Sequence, residues 1–168
     1  MKNLSFTAHL IILLSVLSVI FLALAVISSV WKVQDTAAAI DRIEAVAYNP
    51  EVRAQIDSAN EKYESLDAAL HLQSAVTNRD RLTDAKREYA SLAIAEVSLA
   101  VEHGEPDEVI LSRIDDAQNI LSAYFTEDEY ASVPNYADLQ AAAADVEKAN
   151  GTAPLPAESG GEEEIEIC

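Results

Sequence analysis

The side chains able to do chemistry in this 168-residue chain are few and scattered. Zinc and haem centres need His or Cys in clusters, and the histidines His9, His71 and His103 stand apart, with no partner at ligand spacing. A di-iron bundle would place a Glu three residues before a His on two facing helices; those positions hold Ala68 and Ala100. Glu127-Asp128-Glu129 lacks the alternating oxygen ligands and central glycine of a calcium loop and reads as a solvated turn. Asp115-Asp116 reads as an outer helix face. No nucleophile elbow, glycine-rich phosphate loop or nucleotide fingerprint is present. The expectation is a protein that is not an enzyme, with no catalytic, cofactor-binding or metal site and no evident small-molecule substrate. The one thiol, Cys168, cannot form a disulfide within the chain. It is either a candidate for an intermolecular bond to a second copy or an incidental exposed thiol.

Charge narrows the partners. Eleven Lys and Arg face 29 Asp and Glu, for a net charge of −18. Nucleic acid and anionic headgroups would repel such a surface, which argues against DNA or RNA as a ligand. The clustered bases Arg79, Arg81, Lys86 and Arg87 are interleaved with Asp80, Asp84 and Glu88 at spacings that allow pairing along a helix surface.

The elements that carry these residues begin with an apolar run. Residues 1–9 form a short flank, and residues 10–31, LIILLSVLSVIFLALAVISSVW, contain no charge. As a helix, 22 residues reach about 33 Å, enough for a ~30 Å hydrocarbon core. Trp31 and Lys32 then place an amphipathic ring and a cation where headgroups begin, a membrane-interface pair. The lipid bilayer is thus the first expected partner, with the chain a single-pass protein of the cell membrane. The competing possibility is a cleaved secretory signal ending at Ala23-Leu24-Ala25, although the apolar run continues through Val26, Ile27 and Val30. Lys2 on one side and Lys32 and Arg42 on the other leave the charge bias for orientation nearly even; the shortage of base near the membrane tips it toward the domain lying outside.

Residues 32–150 read as one acidic, alanine-rich helical domain. The first helix continues past the anchor to about Tyr48, with Ile40, Ile43, Val46 and Ala47 in phase, and stops at Asn49-Pro50. A second helix starts at Pro50 and carries Ile56, Ala59, Tyr63, Leu66 and Leu70 until the pattern fades near Thr77. Asn78 can cap a third, with Leu82, Ala85, Tyr89, Leu92 and Val97, ending at Gly104. A fourth starts at Pro106 with acids in its first turn and Ile110, Ile114, Ala117 and Leu121 on one face. After a loop over residues 126–135 comes a fifth, residues 136–149, containing the run Ala141 to Ala144 and stopping at Asn150-Gly151. Tyr63, Tyr89, Tyr124, Phe125 and Tyr136 would supply bulk to the core. No segment alternates like a strand, so the fold class is all-α: an N-terminal transmembrane helix followed by an antiparallel helical bundle. Residues 151–168, rich in Pro, Gly, Ser and Glu, read as a flexible acidic tail.

Ile120-Leu121-Ser122-Ala123-Tyr124, the acidic loop, Val133-Pro134-Asn135-Tyr136-Ala137-Asp138-Leu139-Gln140 and Val146-Glu147-Lys148 together resemble the LemA family of bacterial membrane proteins. The likeness lies in the leucine-rich helix, the loop and the Asn-aromatic-x-x-Leu-Gln helix start, over about 30 residues, and in the layout of one membrane helix before a helical domain. The family's Arg-rich stretch after the anchor and its closing Ala-Arg-x-x-Tyr-Asn segment are missing. The resemblance implies a membrane-associated helical protein with its domain in the cytoplasm, the reverse of the orientation that the charges favour. Two functions follow from the layout. One is a membrane-anchored interaction or scaffold protein that docks a protein partner or another copy. The alternative is a small subunit or assembly factor of a larger membrane complex, held by its transmembrane helix through Ser15, Ser18, Ser28 and Ser29.

Overall fold

A computed structural model describes residues 2–149, and the side chains of residues 8–148. The expected stop at Asn150-Gly151, the tail over 151–168 and Cys168 lie outside the described residues. Within them the chain is all-helical, without strands: α1 (Lys2–Asp41), α2 (Pro50–Glu64), α3 (Arg79–Glu102), α4 (Asp107–Tyr124) and α5 (Tyr136–Ala149), with short 3-10 segments at Gln73–Ala75 and Glu127–Ser132. The chain divides into two compact units, Met1–Leu92 and Ala93–Cys168, and α3 contributes its first half to one and its second half to the other.

In the first unit, α1 packs on α2. The buried stripe of α1 is Thr36, Ala39 and Ile40, with Ile43 just beyond its end; α2 offers Val52, Ile56 and Ala59 at the same period. Alanines on both helices keep the backbones close. Thr36 is buried, and its hydroxyl donates to the Lys32 carbonyl at 2.9 Å, so no polar group is stranded there. The two helices run antiparallel, as the Lys62–Asp35 ion pair at 2.6 Å shows by joining the late turns of α2 to a point six residues before the end of α1.

α1 ends at Asp41, seven residues short of the expected Tyr48. Its last turn tightens, with Arg42 and Ile43 donating to the carbonyls of Ala39 and Ile40. Long-range partners then hold the chain. The Asn78 amide donates to the Ala37 carbonyl and to Asp41 Oδ1, both at 2.9 Å, while the Arg81 guanidinium donates to the Ile43 carbonyl and pairs with Asp41 at 3.6 Å. A helix end otherwise lacking basic residues receives its cation from α3. Asn78 is therefore a clamp on α1 and not the side-chain cap of its own helix. Downstream, Tyr48 meets Tyr89 in a tilted ring contact with centroids 5.4 Å apart, and the Tyr89 hydroxyl donates to the Asn49 carbonyl at 3.3 Å.

Asn49 caps α2, its Oδ1 accepting from the Val52 amide at 2.9 Å, and Pro50 takes the first turn as expected. The second helix does not run on toward Thr77. It closes at Glu64, and residues 67–72 form a separate turn in which the Leu72 amide donates to the Asp67 carbonyl and the His71 amide to that of Ala68. This is a Schellman arrangement with His71, at φ 54°, in the left-handed position that glycine usually takes. The same pattern ends α3: Glu105 donates to Ala100, Gly104 to Val101, and Gly104 supplies φ 65°.

In the second unit, the buried residues Ala93, Ile94, Val97 and Ala100 of α3 and Ile110, Ile114, Ala117, Ile120 and Leu121 of α4 carry most of the core. Arg113 of α4 pairs with Glu96 of α3 at 2.9 Å. The expected loop over residues 126–135 contains the 3-10 segment, which begins with the Thr126 amide and hydroxyl both donating to Glu129 Oε2 at 2.9 Å. Asn135, at φ 64°, follows Pro134 in a tight turn closed by the Tyr136 amide on the Val133 carbonyl; proline then a left-handed residue is the type II pattern. α5 packs on α4 and on the 3-10 segment through Val133, Leu139, Ala142 and Val146. The aromatic core foreseen from sequence is not formed. Tyr89 alone of the five named aromatics is buried; Tyr63, Tyr124, Phe125 and Tyr136 are half-buried, and isoleucine and alanine fill the interior.

Candidate membrane interface and helical groove

α1 is built in two registers. Past Lys32 it has one buried stripe, but before Trp31 it buries nothing: sixteen large apolar side chains between Leu10 and Trp31 are 45–69% exposed. Leaving a Leu, Ile, Val or Phe half in water costs on the order of 1 kcal/mol each, so the run would cost roughly 15 kcal/mol or more in an aqueous setting. That equals or exceeds the whole stability of an ordinary small domain, about 5–15 kcal/mol. A segment of this kind is compatible with a membrane anchor or with a signal sequence. Its backbone is satisfied internally, and Ser15 and Ser29 return their hydroxyls to the carbonyls of Ile11 and Ala25 at 2.9 Å. Those two hydroxyls thus spend their protons within α1 and keep only acceptor capacity toward a neighbour.

Trp31 and Lys32 fall where the two registers meet. Both are exposed, Trp31 at 69%, and α1 passes through them without a break. Facing this stretch is the turn after α2. Leu70 and Leu72, with Ala75, form one wall of an apolar groove of about 580 Å³ whose other wall is α1 from Leu22 to Gln34. Sequence periodicity had assigned Leu70 to the buried face of α2; it is 62% exposed. The helical period gave no signal of this, because Leu66 and Leu70 stay in phase across the turn.

A second concavity, of about 540 Å³, belongs to the second unit. Gln118, Asn119 and Ser122 of α4 form one side, Gln140, Ala143 and Glu147 of α5 the other, and Tyr130 and Tyr136, with ring centroids 5.7 Å apart, close one end. The lining sets these amides, hydroxyls and one carboxylate beside the apolar Leu121, Leu139, Ala143 and Ala144. Of the alanine run, Ala142 is buried, Ala143 faces this groove, and Ala141 is exposed.

The histidines remain apart: His9 on α1, His71 in the turn after α2, and His103 at the end of α3. Among the described residues no three His, Cys, Asp or Glu side chains come together as a metal site. The basic cluster divides. Arg87 pairs with Asp84 at 3.5 Å along α3, as the spacing suggested, while Arg79 reaches the adjacent Asp80 at 3.7 Å and Arg81 reaches across to Asp41. Comparison with family models, curated proteins and solved structures finds no match to this chain.

Proposed function

We propose that this chain is a single-pass membrane-anchored helical interaction protein, inserted through residues 10–31 with Trp31 and Lys32 at the headgroups. The observation that carries the proposal is the uncovered apolar run of α1 passing straight into a helix end that is buried against α2. A bilayer removes the cost of the exposed half, and the buried half fixes the helical domain to the anchor. The domain stands on the outer side, because so little base lies near the membrane on that flank. Its role is to dock a protein partner or another copy of itself; the groove between α4 and α5 offers amides and tyrosines for that purpose and no catalytic constellation. The LemA-like layout supports the anchored helical reading and predicts the opposite sidedness.

Intact mass and protease accessibility in sealed vesicles of known orientation test this proposal. Full-length mass with the domain digested from outside supports it. Full-length mass with the domain protected reverses the sidedness in favour of the LemA-like orientation, and a chain beginning near Val26 overturns the anchor.

A further inference from the structure

We infer that the turn after α2, residues 67–76, is a second membrane contact: Leu70 enters the bilayer beside α1, and the groove between this turn and α1 holds an acyl chain of a surrounding phospholipid. This inference rests on the anchored reading of α1 and adds to it a site, a ligand class and a depth.

Three observations converge. The first is position. Leu22, Val26, Val30 and Val33 recur every three or four residues along one face of α1, and Leu70 and Leu72 stand opposite them. The groove thus spans the last apolar turns of α1, on both sides of Trp31, at the level where hydrocarbon gives way to headgroups. Its α1 wall is continuous with the face that the bilayer covers. The second is exposure: Leu70 is 62% exposed, whereas Leu66 and Val76, which bracket the turn, are 3% and 1% exposed. The third is the backbone. Entry into a low-dielectric layer requires that amide groups find partners within the protein. From Ala69 to Val76 the amides of residues 69 and 70 donate to Asp67 Oδ1, and those of 71, 72, 74, 75 and 76 donate to carbonyls within the turn. Only Gln73 lacks such a bond among these eight. The groove's one α1 hydroxyl, that of Ser29, is likewise used, on Ala25.

A phospholipid chain is favoured over a second copy because the uncovered surface is continuous with α1, which is exposed on every side over residues 8–28 and therefore solvated by lipid in general. Asp67, at the start of the turn, is left at the headgroup level, which limits how far the turn can sink.

The test uses the full chain with Cys168→Ser, carrying Leu70→Cys labelled with an environment-sensitive fluorophore and reconstituted into phosphatidylcholine vesicles. Ile20→Cys, within the apolar run, and Leu111→Cys, an exposed residue of α4, serve as references. Spin-labelled lipid should remove most of the emission at positions 20 and 70 and little at 111, with aqueous iodide doing the reverse. Quenching by lipid at 20 but by iodide at 70 overturns the second contact and leaves the anchor intact. Protection of 70 from both quenchers overturns it in favour of a protein neighbour. Failure of lipid quenching at position 20 itself removes the anchored reading on which the inference stands.

Discussion

Two isoleucines on α1, thirteen residues apart, place the boundary between its registers under direct test. Ile40 is fully buried in the α1–α2 contact, and Ile27 is 52% exposed on the same helix. Ile40→Ala removes buried methyl and methylene groups and leaves a cavity between α1 and α2 at a cost of about 2–5 kcal/mol. Taking ~3 kcal/mol and a urea dependence of ~1.5 kcal/mol per molar for a unit of this size, the unfolding midpoint moves down by about 2 M. Ile27→Ala exchanges one lipid- or detergent-facing side chain for another, so the midpoint of the domain should stay where it was. The assay is urea unfolding in mild detergent followed by the Tyr circular-dichroism signal, which reports Tyr48 and Tyr89 in contact over the α1–α2 connection. An equal loss in both variants would mean that the apolar half of α1 is packed in protein. No loss at Ile40 would mean that the end of α1 does not hold the domain, and the rigid connection between anchor and domain would fall with it.

Tyr89→Phe keeps the ring against Tyr48 and loses the 3.3 Å bond to Asn49, so it should cost about 0.5–1.5 kcal/mol in the same assay, whereas Tyr89→Ala should cost about 3–5 kcal/mol. Gly104→Ala meets no neighbouring atom within 4 Å, and its penalty is therefore purely the left-handed backbone, about 1–2 kcal/mol. Thermal melts should show this as a loss of roughly 4–8 °C per kcal/mol, and an unchanged melt would mean that α3 does not end in the described turn.

The parts of the fold that were legible in the sequence are those specified locally. Asn49-Pro50, Gly104-Glu105-Pro106 and Pro134-Asn135 punctuate the chain by the φ values and caps that they permit, and α2, α4 and α5 start within a residue of where those signals put them. The end of α1 was not legible, because the groups that stop it, Asn78 and Arg81, come from 37 to 41 residues away in sequence, and residues 42–48 contain no glycine or proline to announce a break. The turn over residues 67–72 was missed for a related reason: His71 occupies a left-handed position without being glycine, while Leu66 and Leu70 keep the helical period across it. Periodicity also overrated the aromatics. Isoleucine and alanine interlock more closely between antiparallel helices than a tyrosine whose hydroxyl must still reach a partner, and Tyr89 is buried where the Asn49 carbonyl meets that need. For the candidate sites, the long apolar helix was legible from the uncharged run alone, whereas the exposure of Leu70 and Leu72 beside it needed the fold.

The unbroken course of α1 makes it a lever. No proline, glycine or looser turn intervenes between the apolar run and Asp41, so no hinge separates the run from the turns packed on α2. From Trp31 to Asp41 the arm is about 15 Å long. A helix leaning by the ~20° common in bilayers carries the far end of that arm sideways by about 5 Å, and a thinner or thicker membrane changes the lean. On the anchored reading proposed above, membrane thickness would thereby set where the first unit stands over the surface.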